Sequence, residues 1–490
     1  MVLLAALCLA ASAQAWTLKE AAKPYSGQTV RIIGQALPPY QALKMLSKEF
    51  TEETGIKVIF EEYAWEEIFQ KVTADFAGRT GIYDINSCGQ NGGGRWVEQG
   101  WLLPLDKFLN DPKLRNPDLK PETGTFIDPF FYEETCKYAG VLYGFPLNFM
   151  SQYVWYRFDL FENPAEKAAF KAKYGYELPS PPVDWKEYRD AAEFFTRKKG
   201  EKLAGAVLDH DFYGTVIQGK RHTSIWHEYY NFLWSFGGDV LDMDPTDHGH
   251  MYKPVVLNSP AALEALKYYK EMKKFSPPGV MMYTWDEAQA AQQQGLVAIA
   301  LQWDDAAAIM EDAKDSKVAG KTAYSGIPIG KRKVTQLQGD IMHLSSQSRH
   351  PQAAWLFMQW AMQPHIQVLQ QKLGGESSVR ATYDDPDVRK IPYAAAGLYV
   401  KSGDVIQLRE PGSPTGHGIS KRYVEAKDPA TGATKPRLMV KPSFPEEEQI
   451  QDIIILMLNR VLNDEITPEE GLKGAHADIE KLLAKKIGKK

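Results

Sequence analysis

Between residues 29 and 86 the chain switches repeatedly between two periodicities, and that switching restricts the fold more than any other feature. "TVRIIG", Thr29 to Gly34, alternates and is β-branched, which predicts a strand. "YQALKMLSKEFTEETG" places Tyr40, Leu43, Leu46 and Phe50 at helical spacing, with Gly55 as a stop. "IKVIFEE" predicts a second strand, and "WEEIFQKVTADF" puts Trp65, Ile68, Phe69, Val72 and Phe76 on one face of a second helix. "GIYDIN" reads as a third, short strand. Strand, helix, strand, helix, strand at this spacing means right-handed βαβ units and a parallel sheet. Ligands of such sheets sit beyond the carboxyl ends of the strands. Here those ends are Gln35 to Pro39, Tyr63 to Trp65 and Cys88 to Gly94.

The rest of the chain is patterned less evenly. A turn is expected at Gly144 to Pro146, then a strand through Val154 to Arg157. "PVDWKEYRDAAEFF" reads as a helix opened by Asp184, and "SIWHEYYNFLWSFGGD" as an aromatic helix closed by Gly237 and Gly238. Ser259 and Pro260 open a further helix. "TWDEAQAAQQQG" reads as helix and "GLVAIALQWDD" as a buried strand ending in Trp303, Asp304 and Asp305. A strand at Asp340 to Leu344 precedes one helix from Pro351 to about Gln371. Residues 410–445 are rich in Pro, Gly and Lys without periodicity and read as a long loop or insertion. Two amphipathic helices finish the chain, the last starting at Thr467 and Pro468.

With 490 residues the chain is long enough for two or three domains, and its net charge of -5 argues for neither nucleic acid nor an anionic membrane. Val2 to Ala11 is an apolar run followed by Ala13-Gln14-Ala15, the pattern of a signal peptide cleaved after Ala15. Export would leave Cys88 and Cys136, either as one disulfide or as two buried thiols. Several chemistries have no motif here: there is no P-loop, HExxH, GxSxG or EF-hand, and the ten histidines lack metal-ligand spacing. No cofactor and no metal is therefore expected. "QNGGGR", Gln90 to Arg95, follows a strand; it could nest a phosphate or simply let backbone approach a ligand closely.

The surplus is aromatic, with 12 Trp, 24 Tyr and 21 Phe. Most must build cores. Three tryptophans stand beside polar residues: Trp65 before Glu66 and Glu67, Trp226 before His227 and Glu228, Trp303 before Asp304 and Asp305. A flat ring beside an acid or amide suits a sugar or polyol. The competing reading of Asp304 and Asp305 is a glycoside-cleaving pair. Adjacent residues of a strand face opposite sides, so the doublet makes a poor catalytic pair. Asp304 is expected to accept ligand hydroxyls and Asp305 to cap a helix.

Taken together, "SKEFTEETGIKVIFEE", "GIYDINSCGQNGGGRWVEQGWLLPLDKF", "YGFPLNFMSQYVWYRFDLFE", "WSFGGDVLD", "TWDEAQAAQQQGLVAIALQWDDA", "GDIMHLSSQSRHPQAAWLFMQWAM", "GGESSVR" and "TPEEGLKGAHADIEKLL" resemble the bacterial extracellular solute-binding proteins of ABC importers. The likeness is to the sugar- and polyol-binding group that includes maltose-binding protein, and it covers nearly all of the mature chain. It implies an α/β, two-lobed periplasmic-binding-protein fold of class II type, with discontinuous lobes joined by hinge strands. Residues 16–147 plus 330–373 would form lobe one, and residues 148–329 plus 374–490 lobe two. Matching the family's ligand loops, the resemblance implies contacts from Gln35, Gln90, Asn91, Asn148, Trp226, His227, Tyr230, Trp303, Asp304, Asp340 and Arg380; the aromatic–acid pairing adds Trp65. Many members have a proline where Ser378 stands, which puts the shape of the "GGESSVR" loop in question. The implied role is not enzymatic: a periplasmic monomer would enclose a sugar or polyol and deliver it to ABC permease subunits in the inner membrane. Glycerol or glycerol phosphate is the alternative ligand, and only Arg95 and Arg380 are expected as cations near the cleft.

Overall fold

The computed structural model describes residues 16–89, 93–243 and 251–487. The strands that position the site are, in chain order, β1 (Thr29–Gln35), β2 (Lys57–Tyr63), β3 (Ile85–Gly89), β4 (Gly144–Pro146), β5 (Gln152–Arg157), β6 (Ile299–Trp303), β7 (Thr322–Ser325) and β8 (Asp340–Leu344). The first sheet has the order β2-β1-β3-β8-β4. Its first three strands are parallel, and β8 runs antiparallel between β3 and β4. A second sheet has the order β6-β5-β7, all antiparallel.

Consecutive residues of β1 show why the first sheet is covered on both faces. Ile32 packs into a core with Phe50, Ile85 and Trp355, while Ile33 joins Ile68, Val72, Phe76 and Trp96 on the opposite side. Helices α1 (Pro38–Thr54) and α2 (Trp65–Gly78) supply these faces. Gly55 ends α1 at φ 72°, the left-handed conformation that a glycine adopts without strain. Gly34 is required for a different reason: a Cβ there would come within 2.3 Å of the Tyr40 ring. The Tyr40 hydroxyl donates to the Ile32 carbonyl at 2.9 Å, so the close approach pins the end of β1 and holds Gln35 in place.

The second core gathers around helix α3 (Thr223–Ser235), all thirteen of whose residues are buried. Helix α4 (Trp285–Gln293) begins with a capping box, in which Thr284 and Glu287 exchange hydrogen bonds. The two C-terminal helices, Glu447–Leu462 and Pro468–Leu483, close this core from outside. The chain passes between the two lobes in adjacent segments. Met150 and Gln338 form an antiparallel bridge, with Met150 N–H donating to the Gln338 carbonyl at 2.8 Å. Helix α5 (Ala394–Ser402) packs across the junction. Ala394 and Leu398 join the first-sheet core, and Tyr399 and Val400 join a cluster with Tyr153 and Trp155 of β5.

Three sequence expectations need correction. Gly144 to Pro146 is not a turn but an edge strand on β8. An edge position tolerates a proline, and a Cβ on Gly144 would sit 2.4 Å from Ile341 Cγ2. The helix expected from Pro351 to about Gln371 is two, Pro351–Ala361 and Pro364–Lys372, because Pro364 cannot continue the first. Residues 410–445 are more ordered than a plain loop. Ile419–Ser420 pairs with Leu408–Arg409, Lys421–Glu425 is helical, and Arg437–Met439 pairs in parallel with Val334–Gln336. Much of that order is polar, which periodicity cannot reveal. The buried Lys333 ammonium donates to the carbonyls of Tyr423 (2.7 Å) and Ala426 (2.9 Å) and lies over the Tyr423 ring. Cys136 is a buried free thiol, so it forms no disulfide.

Candidate functional site

A cleft between the lobes collects side chains from both sheets. Gln35 arrives from the end of β1, Trp65 from the start of α2, Met150 and Gln338 from the crossing segments, and Asp340 from the start of β8. The other wall carries Thr223 and His227 of α3, Trp285 and Gln289 of α4, Gln302 and Trp303 of β6, and Asp305. The space between the walls, mouth included, is about 730 Å³, within the ~300–1,000 Å³ usual for small-molecule pockets.

The acids divide the work in a way the sequence pattern reverses. Strand β6 ends at Trp303, and Asp304–Ala306 forms a 3-10 turn. Asp304 points away from the cleft and is fully buried. It lies 2.7 Å from the Lys401 ammonium of α5 and accepts the Ser151 N–H at 3.0 Å. Lys401 is equally close, 2.7 Å, to Glu376, also fully buried. Asp304 is thus an internal ion-pair partner and not part of the cleft wall. Asp305 caps no helix; it lines the cleft at 6% exposure. Burial, then the charges of Asp304, Asp340 and Glu376, hold its carboxyl well above the usual range. Asp340 is also buried, which raises its carboxyl to about 6, while the Asn148 amide donates to it at 3.1 Å and opposes the rise.

Aromatic groups complete the wall. Trp303 meets the His227 ring edge to face at 5.2 Å. The Gln336 amide donates to His227 Nδ1 at 3.0 Å, leaving Nε2 as an N–H donor, and burial keeps the ring neutral by holding its pKa well below the ordinary value. Gln302 is fixed by a 2.9 Å bond to the Trp285 carbonyl, and Trp285 packs against His222 at 4.8 Å.

Of the twelve residues expected from sequence, Gln35, Trp65, His227, Trp303 and Asp340 lie in this wall. Gln90 and Asn91 lie outside the described residues. Asn148 is fully buried behind Asp340, bonding its carboxylate and receiving its backbone N–H at 2.7 Å, so it positions the acid and does not line the cleft. Trp226 and Tyr230 are core residues, packed on each other at 4.7 Å inside a helix that is buried all round. Arg380 lies away from the cleft and pairs with Asp404 at 3.3 Å. Arg95 is likewise taken, by Glu448 at 3.1 Å. The Ser378 hydroxyl donates to the Pro146 carbonyl at 2.9 Å and ties its loop to β4. Sequence reasoning missed Asp305, Trp285, Gln289, Gln302 and Gln338 as wall residues. The tryptophan-plus-acid signal that selected Trp65 also existed at Trp285-Asp286, and applying it there would have found that wall.

The model of the bacterial extracellular solute-binding protein family matches residues 35–368, and the chain belongs to that family. It is 28% identical over 370 residues to a protein of Brucella abortus (strain 2308), covering 74% of this chain and 75% of that one. It is 24% identical over 394 residues to the mannitol-binding protein of Pseudomonas aeruginosa, covering 76% and 78%. Among solved structures, an ABC transporter solute-binding protein from Agrobacterium radiobacter K84 in complex with ribitol superposes with a TM-score of 0.71 at 22% identity, covering 94% of this chain and 100% of that one.

Proposed function

We propose that this chain is the solute-binding component of an ABC importer that encloses a sugar or sugar alcohol between its lobes and hands it to a membrane permease. The observation that carries the reading is the inter-lobe wall itself. Trp65, Trp285 and Trp303 offer flat apolar faces, and Gln35, Gln289, Gln302, Gln338, Asp305 and Asp340 offer hydroxyl partners around them. Hydroxyls of a polyol bond the amides and carboxylates while its C–H faces lie on the rings. Because both lobes contribute, ligand contact favours the closed arrangement over the open one. The mannitol-binding relative and the ribitol-bound structure support a sugar alcohol as the ligand.

The remaining features agree with this role. Asp304 is held by Lys401, which leaves the doublet without the geometry of a glycosidase pair. The wall has no Lys or Arg among the described residues, which disfavours glycerol phosphate. Among the described residues no helix is long and apolar enough to cross a membrane. The proposal assigns no catalysis and, following the family and the signal-peptide pattern, an exported, periplasmic monomer released by cleavage after Ala15. Its lobes would divide at the crossings near residues 148 and 330–339 and again near residue 374. Titration calorimetry with erythritol, ribitol, mannitol, monosaccharides, maltose, glycerol and glycerol phosphate tests it. Saturable binding of an alditol or sugar is expected; binding of glycerol phosphate alone, or turnover of a glycoside, would overturn it.

A further inference from the structure

The charge on the cleft is one-sided. Asp286, Asp305 and Asp340 all line it, and Asp305 feels the charge of Asp340. Among the described residues Asp305 is nine-tenths buried and has no hydrogen-bond partner for its carboxylate. A buried carboxylate left without a donor is costly, and proteins keep such groups where a ligand supplies the donor. Among the described residues the wall holds no Lys or Arg to neutralise Asp305 and Asp340, and His227 is held neutral. Two cations stand behind the wall: Lys401 is shared between Asp304 and Glu376, and Lys441, close enough to act on His227, faces Glu447 at 3.8 Å. The same space is flanked by the rings of Trp65, Trp285 and Trp303. Carboxylates together with tryptophan faces form the surroundings that recognise an ammonium group, by charge-assisted hydrogen bonds and by attraction to the ring faces.

We infer that the cleft prefers a polyol bearing a primary or secondary amine, an amino alditol or amino sugar, whose ammonium lies between Asp305 and Asp340. The inference rests on the sugar or polyol reading above and narrows its ligand class. A protonated amine supplies Asp305 with the donor it lacks and draws both carboxyls, which burial pushes toward the neutral form, to the ionised one. A neutral alditol bonds the oxygens but brings no charge to favour that ionised form.

The test is a paired calorimetric titration of the intact chain at pH 7: sorbitol against 1-amino-1-deoxysorbitol, and glucose against glucosamine. The amine of at least one pair should bind about tenfold or more tightly than its neutral partner, the scale of one charge-assisted bond. In Asp305→Asn that ratio should fall toward one, and Asp340→Asn provides the second variant should the first fail to fold. Equal or weaker binding of both amines by the unaltered chain would overturn the inference while leaving the polyol reading intact. An amine preference that survives both substitutions would also overturn it. Failure of all four compounds, and of the wider alditol panel, would remove both readings.

Discussion

At Trp303 the strand ends, and the next two side chains go to opposite places. Alternation from a Trp303 in the cleft wall already puts Asp304 behind the wall and Asp305 beside the tryptophan. The 3-10 turn keeps that order, with Asp304 against Lys401 and Asp305 in the cleft. Strand alternation was legible in "GLVAIALQW", and carried past Trp303 it favours Asp305 for the cleft; the expectation for Asp304 came from its place beside the tryptophan. Trp303 itself was legible, because a buried strand that stops at an aromatic ring before acids has few other uses. Replacing it by alanine should weaken ligand binding by roughly 30-fold, about 2 kcal/mol, as for a central aromatic contact. Calorimetry on the variant checks this, with circular dichroism showing an unchanged fold.

Elements were easier to read from sequence than their surroundings. The βαβ front of the chain followed from periodicity alone, since each residue's neighbours on its own strand or helix determine the pattern. Helix α3 was recognised as a helix yet its burial was misjudged. Trp226 and Tyr230 beside His227 and Glu228 look like a binding face until the second core encloses every side of the helix. Helix α5 shows what periodicity cannot report at all. Its Lys401 joins the strand end, through Asp304, to the "GGESSVR" loop, through Glu376. Lys401→Met should destabilise the protein by about 3–5 kcal/mol, because it leaves two buried carboxyls without their cation. Asp304→Asn, Glu376→Gln and Lys401→Met combined should cost much less than Lys401→Met alone. Urea unfolding of the two variants makes the comparison.

For the molecule as a whole, buried acids set how stability responds to pH. Burial raises Glu228 to about 7, although Tyr269 and the Gln218 N–H both donate to it, and raises Asp239 to about 7. A carboxyl whose pKa is higher in the folded chain stabilises it fully below the unfolded pKa, near 4, and loses that contribution as pH rises through 7. The unfolding free energy should therefore fall between pH 6 and pH 8, and Glu228→Gln should remove about 1 kcal/mol of that fall. Denaturant titrations at the two pH values measure it. The order of the first sheet has another consequence, for synthesis. Strand β8 lies between β3 and β4 but is made long after both, once β5, β6 and β7 of the second sheet have been translated. Until then β3 and β4 each present an open edge of unpaired backbone, ready to pair with another chain. The first sheet cannot be completed as its N-terminal strands emerge from the ribosome, so it stays unfinished until Leu344, of 490 residues, has been made. For the exported protein proposed above, that delay would keep the chain in a state that can still be threaded through a membrane.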